Sequence, residues 1–137
     1  MGARAVKPRI LVVEDYEDTR AILRALLTHR GYEMYEAATA EEALERIDTI
    51  RPDLVVLDVR LPGMDGCEAL ELMRARGYRQ PVFLFSEYYD LLADRIKSCK
   101  HDGFFPKSKG PLEMVGAIGR MLTHASGGGG TASPTFA

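Results

Sequence analysis

Acidic side chains follow two apolar runs that have the character of buried strands. The run ILVV (residues 10–13) leads directly into Glu14 and Asp15, and the run LVVL (residues 54–57) leads into Asp58. Short, continuous runs rich in β-branched residues are typical of strands buried on both faces of a parallel sheet. The carboxyl ends of parallel strands share one edge of the sheet, so the three carboxylates should converge if the first and third strands are neighbours.

Three carboxylates at one edge point to a bound cation. Their mutual repulsion would raise the pKa of at least one of them unless a positive charge lies between them. Clustered oxygen ligands suit Mg²⁺, which takes one or two carboxylates, keeps several waters and shares its shell with phosphate oxygens. Asp15 alone would equally fit a helix N-cap or a solvated loop position, but the three acids together favour a metal site.

A hydroxyl and an ammonium group are expected at the same edge. Ser86 ends the apolar run VFLF (residues 82–85), and Lys107 follows the short run Phe104–Phe105 by two positions. Beside the acids, these two side chains would complement the phosphate oxygens of an aspartyl phosphate. Lysine alone is uninformative, because exposed lysines are common. The hypothesis therefore depends on the set of three acids, one serine and one lysine.

Strands and helices alternate along the chain, which predicts a doubly wound α/β fold with a five-stranded parallel sheet. The second strand is predicted at residues 32–37, where polar and apolar residues mix, and the fifth at Phe104–Phe105. The first helix is indicated by an apolar stripe (Ile22, Leu23, Leu26, Leu27) that Gly31 ends, and the second by a capping box at residues 39–42 before Leu44 and Ile47. The third and fourth helices are predicted at residues 67–76 and 91–99. The fifth is predicted to start with Pro111 at its first helical position, followed by an apolar face of Leu112, Val115, Ile118 and Leu122.

Composition limits the partners and the location. The chain has 137 residues, a net charge of −2 and a pI near 5.9, so we expect no direct nucleic-acid binding. It has no apolar run long enough for a membrane span and no secretory signal, so we expect no membrane association and a cytoplasmic location. Cys67 and Cys99 lack metal-ligand spacing and a disulfide-rich context, which predicts reduced thiols.

Between residues 8 and 122 the sequence resembles the receiver domain of bacterial two-component response regulators. The resemblance rests on VVEDY (12–16), LVVLDVRLPGMDG (54–66), VFLFSE (82–87) and FFPKS (104–108), which occur in the family's order and near its spacing. It implies a flavodoxin-like (βα)5 fold with strand order 2-1-3-4-5 and a receiver domain over residues 8–124. The Gly/Ser/Pro-rich residues 125–137 are expected to form a flexible tail or a linker.

The resemblance also implies a role for each acidic residue. Asp58 would accept the phosphoryl group, Asp15 would bind Mg²⁺ directly, and Glu14 would act largely through water. The backbone carbonyl of Arg60 would complete the protein's share of the metal shell. A domain of this kind is not a classical enzyme, but it catalyses its own phosphorylation and dephosphorylation.

The resemblance further implies that Ser86 and Lys107 recognise the phosphoryl group and that Phe104 takes part in signalling. Ser86 and Lys107 would bind the phosphoryl oxygens, and Phe104 matches the switch aromatic that packs inward when the hydroxyl moves. The implied donor is a phosphohistidine on a sensor histidine kinase or a phosphotransfer domain. The implied output is a protein or domain bound through the fourth helix, fifth strand and fifth helix.

Two other functions stay open at this point. One is a receiver-like module that binds a partner regardless of phosphorylation. The other is a Mg²⁺-dependent phosphatase of the haloacid dehalogenase kind, which also phosphorylates an aspartate. That family needs a second acid two residues after its nucleophile, where this chain has Arg60. The complete set of acids favours the phosphorylatable receiver.

The chain departs from the family pattern on one side of the domain. Ser108 stands where a proline usually follows the lysine, Glu87 where a small residue is commoner, and Lys100–His101 where a Gly-Ala pair is typical. The interval from the serine to the lysine is also about one residue short. A cis peptide bond before a non-proline residue costs about 2.5–4 kcal/mol, so we expect the Lys107–Ser108 bond to be trans.

Overall fold

The computed structural model describes residues 6–87 and 92–127 and shows one five-stranded parallel sheet in the order β2-β1-β3-β4-β5. This confirms the predicted architecture. In chain order the elements are β1 (Arg9–Val13), α1 (Glu17–His29), β2 (Glu33–Ala37), α2 (Ala40–Ile50), β3 (Leu54–Leu57), α3 (Gly66–Ala75), β4 (Val82–Ser86), α4 (Ala93–Ser98), β5 (Gly103–Pro106), a 3₁₀ turn (Lys107–Lys109) and α5 (Leu112–Gly127).

Two apolar layers hold helices against the two faces of the sheet. One layer packs α2, α3 and α4 against alternate strand residues such as Leu11, Val55 and Leu84. The other packs α1 and α5 against the intervening residues, including Val12 and Val56. Because β1, β3 and β4 are buried on both faces, their residues are apolar except for Arg9 at the start of β1 and Ser86 at the end of β4. Within the ranges given above, no helix is both long enough and apolar enough to span a bilayer.

The starts of α2 and α3 differ from their predicted form. In α2 the hydroxyl of Thr39 accepts the amide of Glu42, as predicted, but the Glu42 carboxylate accepts the amide of Ala38 rather than that of Thr39. The complete capping box is at α3, where Asp65 and Glu68 exchange side-chain and backbone bonds. This cap starts α3 one residue earlier than predicted.

The second half of the chain shows further boundary corrections. Helix α4 begins at Ala93 after Leu92, which provides no capping side chain, whereas the predicted start at Leu91 lies outside the described residues. Strand β5 extends to Pro106, which an edge strand tolerates because its outer amides need no partner. Pro111 precedes α5 rather than opening it, and its carbonyl accepts the amide of Val115. Helix α5 continues to Gly127, past the predicted domain boundary at residue 124.

Glu36 of β2 joins the sheet to α1 and should make stability depend on pH. Arg20 donates to its carboxylate at 3.1 Å and Arg24 at 2.7 Å. The bond from Arg24, followed by that from Arg20, lowers the pKa of Glu36 below 4.5. A depressed carboxyl pKa stabilises the fold above the unfolded-state pKa, and this contribution is lost as pH decreases through the folded-state pKa.

We therefore expect Glu36→Gln to lower the free energy of unfolding by roughly 1 kcal/mol at neutral pH, because a neutral amide forms weaker bonds with the two arginines. The difference from wild type should begin to shrink as pH decreases through the ordinary glutamate pKa of 4.5, where Glu36 of the unfolded chain takes up a proton, and it should vanish below the lowered folded-state pKa. Urea unfolding at several pH values measures this. Glu45→Gln, an exposed position on α2, is the matched control and should not reproduce the pH dependence. A Glu36 variant whose deficit stays constant with pH would contradict the assignment.

Candidate functional site

The three predicted carboxylates meet at the carboxyl edge of the sheet. Val13 of β1 lies opposite Leu57 of β3, and this register places Glu14 next to Asp58. One oxygen each of Glu14, Asp15 and Asp58 lies within 4.8 Å of the others. Glu14 and Asp58 are 2% and 5% exposed, whereas Asp15 is exposed to solvent. The edge thus combines two buried acids with one that solvent reaches.

Hydrogen bonds hold both oxygens of the Asp58 carboxylate. The hydroxyl of Ser86 donates to Oδ1 at 2.6 Å, and the backbone amide of Arg60 donates to the same oxygen at 3.2 Å. The ammonium group of Lys107 donates to Oδ2 at 2.9 Å. Ser86 is fully buried and accepts the amide of Val59 at 3.4 Å. These contacts fix the orientation of the carboxylate at the end of β3.

Lys107 connects two of the three acids. Its Nζ lies 2.8 Å from Oε1 of Glu14 and 2.9 Å from Oδ2 of Asp58. The lysine reaches this position because Ser86 of β4 lies opposite Pro106 of β5, which puts the next residue at the same edge. The Lys107–Ser108 bond is trans, as expected, and the chain continues through a 3₁₀ turn.

The side chains of the site carry more negative than positive charge. This excess, together with burial, shifts the pKa values of Glu14 and Lys107. Burial, with the neighbouring Asp58 charge, raises the pKa of Glu14 even though Lys107 opposes the shift. Burial alone would lower the pKa of Lys107, but its bonds to Glu14 and Asp58 outweigh burial and leave that pKa raised. Both groups therefore hold protons more strongly, as expected where three acids face one lysine. A divalent cation would relieve the same excess of negative charge.

A small cleft opens beside Asp58. Its volume is about 220 Å³, and it is lined by Asp58, Arg60, Ser86, Glu87 and Lys107. A carboxylate oxygen that faces such a cleft can attack an electrophile entering it, while the hydroxyl and the ammonium group bind oxygens of that electrophile. This arrangement suits transfer of a phosphoryl group to the carboxylate.

Phe104, the predicted switch aromatic, lies beside the site rather than in the cleft. It is half-buried in β5 opposite Leu84 and packs against the layer formed by α2, α3 and α4. Two further residues shape the site, and neither was predicted to do so. Arg20 donates to the backbone carbonyl of Glu14 at 2.7 Å, and Gly66 lies against the backbone carbonyl of Asp58. Nothing in their spacing along the sequence indicates either contact.

Comparison with known proteins identifies the family. The family model for the response regulator receiver domain matches residues 10–118. The sporulation initiation phosphotransferase F of Bacillus subtilis is 33% identical over 106 residues, which cover 77% of this chain and 84% of that protein. The response regulator MprA of Mycolicibacterium vanbaalenii is 35% identical over 133 residues, which cover 93% of this chain and 57% of MprA. The chain thus spans little more than half the length of the latter relative.

Solved structures agree with the sequence matches. A CheY-like receiver domain from Methanospirillum hungatei has a TM-score of 0.80 at 26% identity, with 88% of this chain and 98% of that chain covered. TrrA from Thermotoga maritima, solved in complex with Mg²⁺ and BeF, has a TM-score of 0.74 at 30% identity, with 82% and 97% covered. On the family match and these relatives, the chain belongs to the response regulator receiver domain family.

Proposed function

We propose that Asp58 accepts a phosphoryl group from a phosphohistidine, with Mg²⁺ bound at the adjacent acids. The observation that carries this proposal is the pair of donors on the Asp58 carboxylate, with Ser86 on one oxygen and Lys107 on the other, at the mouth of a cleft. The donor would be a sensor histidine kinase or a phosphotransfer domain, the partners with which receiver domains of response regulators interact. Such a receiver acts in the cytoplasm.

In the proposed reaction a carboxylate oxygen of Asp58 attacks phosphorus while the bond from phosphorus to the histidine nitrogen breaks. The ammonium of Lys107 and the hydroxyl of Ser86, which now donate to Asp58, would then donate to oxygens of the phosphoryl group. The domain contributes mainly position and charge to this reaction, because phosphoryl transfer needs little covalent chemistry from the protein. Water later cleaves the aspartyl phosphate.

The chemistry of the donor set supports Mg²⁺ as the metal. Three carboxylates within 4.8 Å offer the hard oxygen ligands that Mg²⁺ takes, and the exposed side of Asp15 leaves room for its waters. Asp15 and Asp58 would bind it directly, Glu14 largely through water, and Arg60 through its backbone carbonyl. When bound, Mg²⁺ offsets the charge that develops on the phosphoryl oxygens. The TrrA complex with Mg²⁺ and BeF, at 30% identity, supports this choice.

Signal output is proposed to start at Ser86 and Phe104. If the hydroxyl of Ser86 turns toward the phosphoryl group, the space it leaves lets Phe104 pack inward, and the surface of α4, β5 and α5 changes for a partner protein or domain. This rests on the general rule that a ligand shifts a two-state equilibrium only through contacts that differ between the states. The receiver domain is proposed to cover residues 8–124, with the Gly/Ser/Pro-rich residues 125–137 as a tail or a linker.

Of the two other functions, family membership removes the support for a haloacid dehalogenase-like phosphatase. The binding-only module differs from the proposal in one respect: it would keep the fold and a partner surface without becoming phosphorylated. The intact donor set on Asp58 favours the phosphorylatable form.

Mg²⁺ binding provides a direct test of the proposed metal site. We expect wild-type protein to bind Mg²⁺ weakly, because the cation keeps part of its water shell and uses few protein ligands. Asp15→Ala should weaken binding by about tenfold or more, the scale of changes around metal ligands. Chemical shifts of residues near the site, followed during a Mg²⁺ titration, measure the affinity.

Asp18→Ala is the matched control for this titration. Asp18 is an exposed acid in the first turn of α1, three residues from Asp15 and outside the acidic cluster. It should bind Mg²⁺ as wild type does. If Asp15→Ala also retained the wild-type affinity, the acidic cluster would be excluded as the metal site.

A further inference from the structure

The two cysteines of the chain are in contact although 32 positions separate them. Cys67 lies in the first turn of α3, and Cys99 follows the last residue of α4. Their Sγ atoms are 3.2 Å apart, and the residues are 2% and 5% exposed. Both are free thiols, as predicted from the sequence. The sequence spacing gave no sign that they would meet.

The remaining contacts of the pair are weak. Cys67 lies 3.8 Å from the carbonyl oxygen of Arg95, and Cys99 lies 3.6 Å from that of Ile96. Both cysteines otherwise belong to the apolar layer between the sheet and helices α2, α3 and α4. Among residues 6–87 and 92–127, the one group of acids, cysteines or histidines arranged to hold a metal is the acidic cluster around Asp58. The contact between the thiols therefore has no metal-binding explanation in the described part of the chain.

We propose that Cys67 and Cys99 are a redox modification site that forms a reversible disulfide when a peroxide oxidises it. The thiolate of one cysteine attacks the peroxide, so that its sulfur gains a hydroxyl group and the peroxide's O–O bond breaks with release of hydroxide or water. The second sulfur then attacks this sulfenic acid, the S–S bond forms, and the hydroxyl leaves as water with the second thiol's proton. Overall, two thiols and hydrogen peroxide give one disulfide and two waters.

The hydrogen bond between the thiols favours one order of attack. The bond from the Cys67 thiol lowers the pKa of Cys99, whereas the same bond, followed by burial, raises the pKa of Cys67. Cys99 is thus the better thiolate, and Cys67 keeps the proton that the leaving hydroxyl needs. Since a thiolate is the reactive form, the first oxidation should occur at Cys99.

The elements around Cys99 allow a small oxidant to reach it. Helix α4 has six residues, and Ile96 is its one buried side chain. A helix this short has little stability of its own, so local opening at its end should need far less energy than global unfolding. Peroxide can react with Cys99 during such openings, and reclosing would return the oxidised sulfur to Cys67.

Peroxide treatment of the 137-residue chain tests the proposal. Reduced protein is treated with hydrogen peroxide, quenched, unfolded and reacted with a maleimide, and the intact mass is measured. Because the chain contains two cysteines, an intramolecular disulfide can join this pair alone. The expected result is loss of both maleimide sites without added oxygen in the monomer, and return of both sites after dithiothreitol. Asp58→Asn should behave identically, so the result is independent of the proposed phosphorylation.

A shifted cysteine is the matched control. The double variant Cys99→Ser/Ser98→Cys keeps two cysteines but moves one to the adjacent exposed position. It should retain two maleimide sites after the same treatment. Equal cross-linking in this variant would overturn the proposal, since the native contact would not be the cause. Two persistent thiols in folded wild type, oxygen added to each sulfur without a bond between them, or disulfides that join two chains would also overturn it.

Discussion

Asp58→Asn should abolish Mg²⁺-dependent modification of the protein by acetyl phosphate. The amide has no carboxylate oxygen to attack phosphorus, and it also removes one of the three negative charges of the acidic cluster. The side-chain shape is kept, so the Ser86 hydroxyl can still donate to the amide oxygen and Lys107 keeps its ion pair with Glu14. Intact mass measures the modification, with one added phosphoryl group expected for wild type and none for the variant.

Two controls make this result specific to Asp58. Asp48→Asn changes an exposed aspartate on α2 and should be modified as wild type is. Thermal unfolding of Asp58→Asn should show a cooperative transition, which separates lost chemistry from a lost fold. A phosphorylated Asp58→Asn protein would reject Asp58 as the acceptor. A wild type that stays unmodified with saturating donor and Mg²⁺ would instead favour the module that binds regardless of phosphorylation.

The strands and their order were predictable because burial on both faces leaves a strong pattern in the sequence. The strands predicted at residues 10–13 and 54–57 agree with the bounds of β1 and β3 to within one residue, because each is a continuous apolar run followed by an acid. Helix boundaries were less predictable because single side chains decide them. Asp65 moves the start of α3, and α4 begins at Ala93 directly after Leu92, which provides no capping side chain.

The candidate site was predictable to the extent that parallel strands end at one edge. This rule places Glu14, Asp58, Ser86 and Lys107 together, and the structure brings their side chains within hydrogen-bonding or ion-pairing distance. Contacts that depend on the angles between elements could not be predicted. The 3.2 Å contact between the thiols of α3 and α4 depends on how these helices pack, which residue spacing does not encode.

The second large effect is expected on stability, from replacing Gly66, whose backbone lies very close to that of Asp58 and Val59. A Cβ atom added there would lie 2.1 Å from the backbone carbonyl oxygen of Asp58 and 2.9 Å from Cα of Val59. Both neighbours are backbone atoms, which cannot rotate away as a side chain can. Gly66→Ala must therefore displace the start of α3 or the segment that carries Asp58. We expect a loss of roughly 2–3 kcal/mol in the free energy of unfolding, the upper part of the typical range for overpacked buried positions.

Gly116→Ala is the matched control, because a Cβ there would meet the far end of Arg120 at an ordinary 3.6 Å. Inside α5 this change should stabilise the protein by about 1 kcal/mol through helix propensity. Urea unfolding of both variants and wild type gives the comparison. Gly66→Ala should also slow acetyl phosphate modification in the fraction that folds, since displaced backbone moves Asp58 relative to Ser86 and Lys107. Equal stability of the two alanine variants would show that the backbone at Asp58 can move aside at little cost, contrary to the tight packing inferred here.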